Sequence, residues 1–114
     1  MVLIIGITGA SGAIYGIRLL EVLSKIEAVE THLIISKHGE ETIGYETEYD
    51  VNDVRALANF AYDIDDIGAS LSSGSFKRDG MIIAPCTIKT MSAVANSYLE
   101  NLIIRAGDVT LKER

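Results

Sequence analysis

The 114-residue sequence has no tryptophan, one proline, one cysteine and two histidines. A single cysteine excludes an internal disulfide, and neither Cys86 nor His32 and His38 stand at metal-ligand spacing, so no metal site is expected. Cations are also scarce: 10 Lys and Arg face 16 Asp and Glu, a net charge of −6. That balance argues against nucleic acid or an anionic membrane surface as the main partner, because both reward clustered positive charge. Isolated cations can still hold a small phosphate. No apolar run is long enough to span a bilayer; "MVLIIGI" lacks a basic flank and leads into a turn instead of a cleavage site. A reducing cytoplasm is the expected location. Repeats and low-complexity tracts are missing too.

Apolar residues are plentiful, at 48% with a mean hydropathy of +0.27, enough for one core and one domain over residues 1–114. The chain opens strand, glycine-rich turn, helix: "MVLII", then "GITGASGAIYG" (6–16), then "IRLLEVLSKI". This order begins a nucleotide-binding α/β unit, yet both dinucleotide templates fail by one residue. Gly6, Gly9 and Gly12 are each three apart, with Thr8 where the G-x-G-x-x-G pattern needs glycine. The alternative T-G-x-x-G-x-x-G pattern needs glycine at Tyr15, and Gly16 comes one place late. The acidic residue that would grip an adenosine ribose at the end of the second strand is replaced by Ser36 and Lys37. NAD is disfavoured on both counts.

"THLIISK" (31–37) and "GMIIAP" (80–85) read as two more buried parallel strands, the latter ended by Pro85. Between them lie an acidic stretch, expected to give a helix and then a variable loop with weak helical character near Val54 to Phe60, and the serine-glycine loop "SLSSGSFKRD" (70–79). From Thr87 onward Ile88, Met91, Val94, Ala95 and Tyr98 recur at helical steps, and Leu102, Ile103 and Ala106 continue that face after Asn101. Alternating strands and helices predict a parallel sheet with ligand loops at the carboxyl ends of its strands. Three loops then converge: "TGASG", "SK" and "PCTIKT". Three confident strands are few for a doubly wound sheet.

The first loop combines glycines, helix-start amides and the Ser11 hydroxyl, which suits a terminal phosphate or carboxylate better than a plain tight turn capped by Ser11. In "PCTIKT", Thr87 is placed to cap a helix. Lys89 in the first turn opposes the helix dipole, as a lysine facing a ligand anion or an acidic neighbour would, with plain solvation the alternative. Cys86 reads as a small buried apolar residue, since no histidine lies near it in sequence. His32 and His38 are possible acid/base groups, but His32 begins a strand and reads as structural. Ser73 and Ser75 offer hydroxyls from a loop that otherwise reads as a linker. Arg105 and Lys112 are two helical turns apart and could share a phosphate; charge pattern alone favours a solvated face paired with Asp108 and Glu113.

Taken together, "GITGASGAIYGIRLLEVL", "HLIISK", "SGSF" and "MIIAPCTIKTMSAVANSYLENLIIRAGDVTLKER" closely resemble the flavin prenyltransferase family, also called aromatic acid decarboxylases. The resemblance implies a Rossmann-like, flavodoxin-like α/β fold: a parallel sheet with helices on both faces, here C-terminally incomplete. Family members continue past the equivalent of Arg114 with a strand bearing an R-E-x-P motif. It further implies transfer of a dimethylallyl group from dimethylallyl phosphate to reduced FMN, with the product serving a prenyl-FMN-dependent decarboxylase, and a homo-oligomer, often a dodecamer. By the same resemblance Gly9, Ala10 and Ser11 hold the flavin phosphate region, and Ser36 lies by the flavin. Thr87, Ile88, Lys89 and Thr90 form a second flavin loop. Ser73 matches an active-site serine, and Arg105 and Lys112 match binders of the prenyl phosphate. The related flavin-dependent cysteine decarboxylases are a weaker match, because their "PASANT"-like loop is "APCTIKT" here and the region just before the third strand, "SSGSF", holds no histidine. A non-catalytic FMN-binding fragment is the remaining alternative.

Overall fold

A computed structural model describes residues 1–66, 69–96 and 101–112. Four parallel strands, β1 (Val2–Ile7), β2 (Glu30–Ile35), β3 (Phe60–Tyr62) and β4 (Gly80–Ile83), lie in the order β3-β2-β1-β4. β1 is central and pairs with β2 along its whole length and with β4 from Leu3 to Gly6; its "VLIIGI" run is apolar on both faces, as a strand covered from both sides requires. Among the described residues, α1 (Ala13–Ser24) connects β1 to β2, α2 (Lys37–Glu46) and α3 (Val51–Ala56) connect β2 to β3, a 3-10 turn at Ser70–Ser72 precedes β4, and α4 (Ile88–Ala95) and α5 (Leu102–Lys112) follow it.

Side-chain alternation along the strands sends residues to two cores. Ile5, Ile7, Leu33 and Ile35 meet Ala13, Ile17 and Leu20 of α1, Ile43 of α2 and Val54 of α3. Ile4 and Ile34 meet Leu71 of the 3-10 turn and Leu102, Ile103 and Ala106 of α5. Each fully buried Ile or Leu contributes roughly 1.5–3 kcal/mol, so both sides are anchored independently. The fold is the flavodoxin-like parallel sheet, helices on both faces, that the sequence leads one to expect.

Two expectations need correction. The stretch expected to be helical up to Phe60 is helix only to Ala56, and a fourth strand, β3, starts at Phe60. Asp50 moves the helix start forward, because its side chain accepts from the Asn52 amide at 2.8 Å and caps α3. β3 escaped notice because it is a three-residue edge strand with Phe60 and Ala61 exposed, which leaves no alternating pattern to read. The apolar periodicity after Thr87 also divides into α4 and α5; Tyr98 and Glu113 lie outside the described residues. Asn101 Oδ1 accepts from the Ile104 amide at 3.0 Å and starts α5 afresh.

His32 is structural, as its place in a strand implies. Its ring is buried, stacks on Phe60 with centroids 4.8 Å apart, and sits between the Tyr62 hydroxyl at 2.8 Å and Glu30 Oε1 at 2.6 Å. Among the described residues no helix is long and apolar enough to cross a membrane.

Candidate ligand site at the carboxyl ends of the strands

The three loops that the sequence brings together do converge. A cavity of about 100 Å³ lies at the carboxyl ends of β1, β2 and β4. Thr8 and Gly9 line it from the first loop, Ser36 and His38 from the second, and Thr87, Lys89 and Thr90 from the third. Asn101 and Ile104 close it from the start of α5.

Short-range hydrogen bonds lock these walls. Thr8 donates from its amide and hydroxyl to the Pro85 carbonyl at 3.1 and 2.6 Å, and its hydroxyl oxygen accepts from the Thr87 amide at 2.8 Å. One threonine therefore ties the first loop to the third. Thr87 caps α4 as its position predicts, accepting from the Thr90 amide at 3.1 Å. Ser36 does the same for α2, accepting from the Gly39 amide at 2.9 Å. Gly9 is needed because a Cβ there would stand 2.5 Å from the His38 Cβ.

The glycine-rich turn already holds an anion. Glu46, the last residue of α2, accepts at Oε1 from the Gly12 and Ala13 amides at 2.9 and 3.1 Å, and at Oε2 from the Ser11 hydroxyl at 2.9 Å. These bonds, the Gly12 amide foremost, hold the Glu46 carboxyl below the usual carboxylate range. A carboxylate thus stands where the sequence suggests a ligand anion. Ser11 is not the cap of α1; that place belongs to Gly12, whose φ of 102° favours glycine. Glu46 was not singled out in the sequence because it comes 35 residues after Ser11, in an acidic stretch without motif.

Other expected site residues are dispersed. Ala10 is half-buried beside the turn, while Ile88 is 80% exposed and does not line the cavity. Arg105 is half-buried on α5, one residue past Ile104 of the cavity wall, and its Nε is buried with no hydrogen-bond partner among the described residues. Lys112, on the same face of α5 two turns later, is 3.0 Å from Asp108, the pairing that charge pattern favours. Ser73 lies at the opposite, amino end of the strands. Its hydroxyl is 2.8 Å from that of Ser75, and its carbonyl accepts from Arg78 next to Asp79, which pairs with Val2 at the start of β1. Cys86 is half-buried, and burial pushes its thiol up, away from a reactive thiolate. Among the described residues no cluster of His, Cys, Asp and Glu could hold a metal.

Comparison with known proteins agrees with this fold. Flavin prenyltransferase UbiX of Thauera aromatica is 59% identical over all of this chain, which spans 58% of that protein. A dodecameric FMN-dependent UbiX-like decarboxylase from Escherichia coli O157:H7 superposes with a TM-score of 0.98 at 49% identity, covering 99% of this chain and 62% of that one. AnUbiX (PadA1), solved in complex with FMN and dimethylallyl pyrophosphate, superposes with a TM-score of 0.96 at 47% identity, over 98% of this chain and 59% of that one. The chain thus spans about three fifths of the length of these relatives. The Flavoprotein family model matches residues 1–114, and the chain belongs to that family.

Proposed function

We propose that this chain is the flavin-binding part of a flavin prenyltransferase, which moves a dimethylallyl group from dimethylallyl phosphate to reduced FMN. The single observation that carries the reading is the convergence of three polar loops on one cavity, lined by Thr8, Gly9, Ser36, Thr87, Lys89 and Thr90. Outside its lining, the Ser11, Gly12 and Ala13 donors hold a carboxylate, and the Arg105 Nε is buried with no partner among the described residues. A donor set so arranged fits a phosphate-bearing ligand, and the failed dinucleotide spacing favours a mononucleotide. The cavity, about 100 Å³, is below the roughly 300–1,000 Å³ of a complete small-molecule site. A flavin held there would therefore extend beyond the walls these residues supply.

When bound, reduced FMN supplies the nucleophilic N5 and C6 atoms. The chain's own residues handle position and charge. Gly9, Ala10 and Ser11 shape the turn on the ligand's phosphate side, Ser36 flanks the flavin, and Thr87, Lys89 and Thr90 form the second wall, with Ile88 exposed beside it. Arg105 and Lys112 stabilise the prenyl phosphate as negative charge grows on it during carbon–oxygen cleavage. Lys112 must exchange its bond to Asp108 for one to phosphate. Ser73 lies at the far end of the sheet from this cavity and has no part in it within one chain. A homo-oligomer is consistent with the exposure of Tyr15, Ile88 and Met91. The prenylated flavin then passes to a decarboxylase that depends on it. A reducing cytoplasm suits the single thiol.

Equilibrium dialysis of the 114-residue chain against FMN, FAD and NAD tests the binding half of this reading. FMN is expected to be retained most tightly. Tighter retention of NAD would reject the mononucleotide assignment.

A further inference from the structure

Two side chains lining the cavity can carry positive charge, Lys89 and His38, and no carboxylate lines it. Of the two, only His38 has a ring nitrogen that can switch between accepting and donating a hydrogen bond. Its backbone is fixed by packing, since the first residues of α2 lie on the glycine-rich turn so closely that Gly9 has no room for a Cβ against the His38 Cβ; the imidazole itself is exposed. Its Nδ1 is 3.3 Å from Glu41 Oε2, and its Nε2 has no hydrogen bond among the described residues. With Nδ1–H turned to Glu41, Nε2 is an acceptor in the neutral ring and becomes a donor on protonation.

The charged groups around this imidazole come from two elements. On α2, Glu41 is its ion-pair partner, Lys37 is paired with Asp65, and Glu46 is engaged by the Ser11, Gly12 and Ala13 donors. From α4 comes Lys89, on another wall of the cavity. A phosphate monoester entering the cavity would add negative charge beside the imidazole and favour its protonated form.

We propose that His38 is a positioning residue for the phosphate of the bound mononucleotide. It takes up one proton on binding, and Nε2–H then donates to a phosphate oxygen. This inference rests on the FMN reading above. It predicts that FMN affinity weakens several-fold between pH 6 and pH 8, beyond any change caused by the ligand's own phosphate ionisation.

The test is isothermal titration of oxidised FMN into the 114-residue chain and its His38→Gln variant, in buffers of different ionisation enthalpy, which counts protons exchanged. The wild type should take up a larger fraction of a proton near pH 7 than His38→Gln. Riboflavin, which lacks the phosphate, should show no such difference between the two proteins. Equal proton uptake from FMN by both overturns the role of His38 while leaving FMN binding intact. A difference that persists with riboflavin overturns the phosphate assignment. Absence of FMN binding to either protein overturns the underlying reading as well.

Discussion

Replacing Arg105 with alanine should slow flavin prenylation by roughly thirty- to several-hundred-fold, about 2–4 kcal/mol, while leaving FMN affinity nearly unchanged. The effect is selective because negative charge on the departing phosphate grows as its bond to carbon breaks, so a cation there acts more on the transition state than on the resting flavin complex. Lysine at this position should rescue poorly, since it lacks the planar, forked donor set of the guanidinium. The structure adds a second expectation of opposite sign. The Arg105 Nε is buried without a partner among the described residues, an arrangement that costs stability of about 1–3 kcal/mol. Arg105→Met should therefore raise the melting temperature while slowing prenyl transfer as much as Arg105→Ala does. Transfer rates are to be read in protein carrying this sequence at the length of its relatives. Wild-type rates for both Arg105→Ala and Lys112→Ala would reduce the pair to a solvated helix face.

Gly16→Ala should destabilise the fold by roughly 1–3 kcal/mol or more, as overpacking of a tight contact does. A Cβ at Gly16 would stand 2.2 Å from the Ala84 carbonyl oxygen and 3.0 Å from the Ile7 side chain. The carbonyl has little freedom to retreat, because the Ala84 amide donates to Gly6 at 2.9 Å and the next carbonyl, of Pro85, is held by Thr8. The same contact sets α1 against the segment that enters the third ligand loop, so FMN affinity should fall with stability. Gly44→Ala is the matched control: this position is exposed within α2, with nothing within 4 Å of the added carbon. Alanine there should stabilise by roughly 0.5–1 kcal/mol through helix propensity. Urea midpoints for the two variants should move in opposite directions; equal midpoints would refute the packing argument.

How much of this was legible in the sequence depended on how local the signal was. The β1–turn–α1 unit, β4 and the Thr87 cap could be read because a few adjacent residues determine each one. β3 could not, since an exposed three-residue edge strand carries neither an alternating pattern nor a continuous apolar run. The convergence of the three loops followed from the general rule for parallel sheets, and the cavity lined by Gly9, Ser36, Thr87 and Lys89 agrees with it. Glu46 was invisible because its meaning lies in a contact across 35 residues. Ile88 illustrates the reverse: a place in the motif "PCTIKT" did not bring it to the cavity wall. Arg105 and Ser73 entered through family resemblance, and geometry treats them differently. Arg105 stands next to the cavity wall with an unsatisfied nitrogen, whereas Ser73 is at the other end of the strands.

The most direct test of the whole account is the mass of the flavin recovered after reduced FMN and dimethylallyl phosphate are incubated with protein carrying this sequence at the length of its relatives. The account predicts a flavin heavier by one five-carbon prenyl unit, with inorganic phosphate released in equal amount. Recovery of unmodified FMN, with no phosphate released although the flavin was bound, would contradict it.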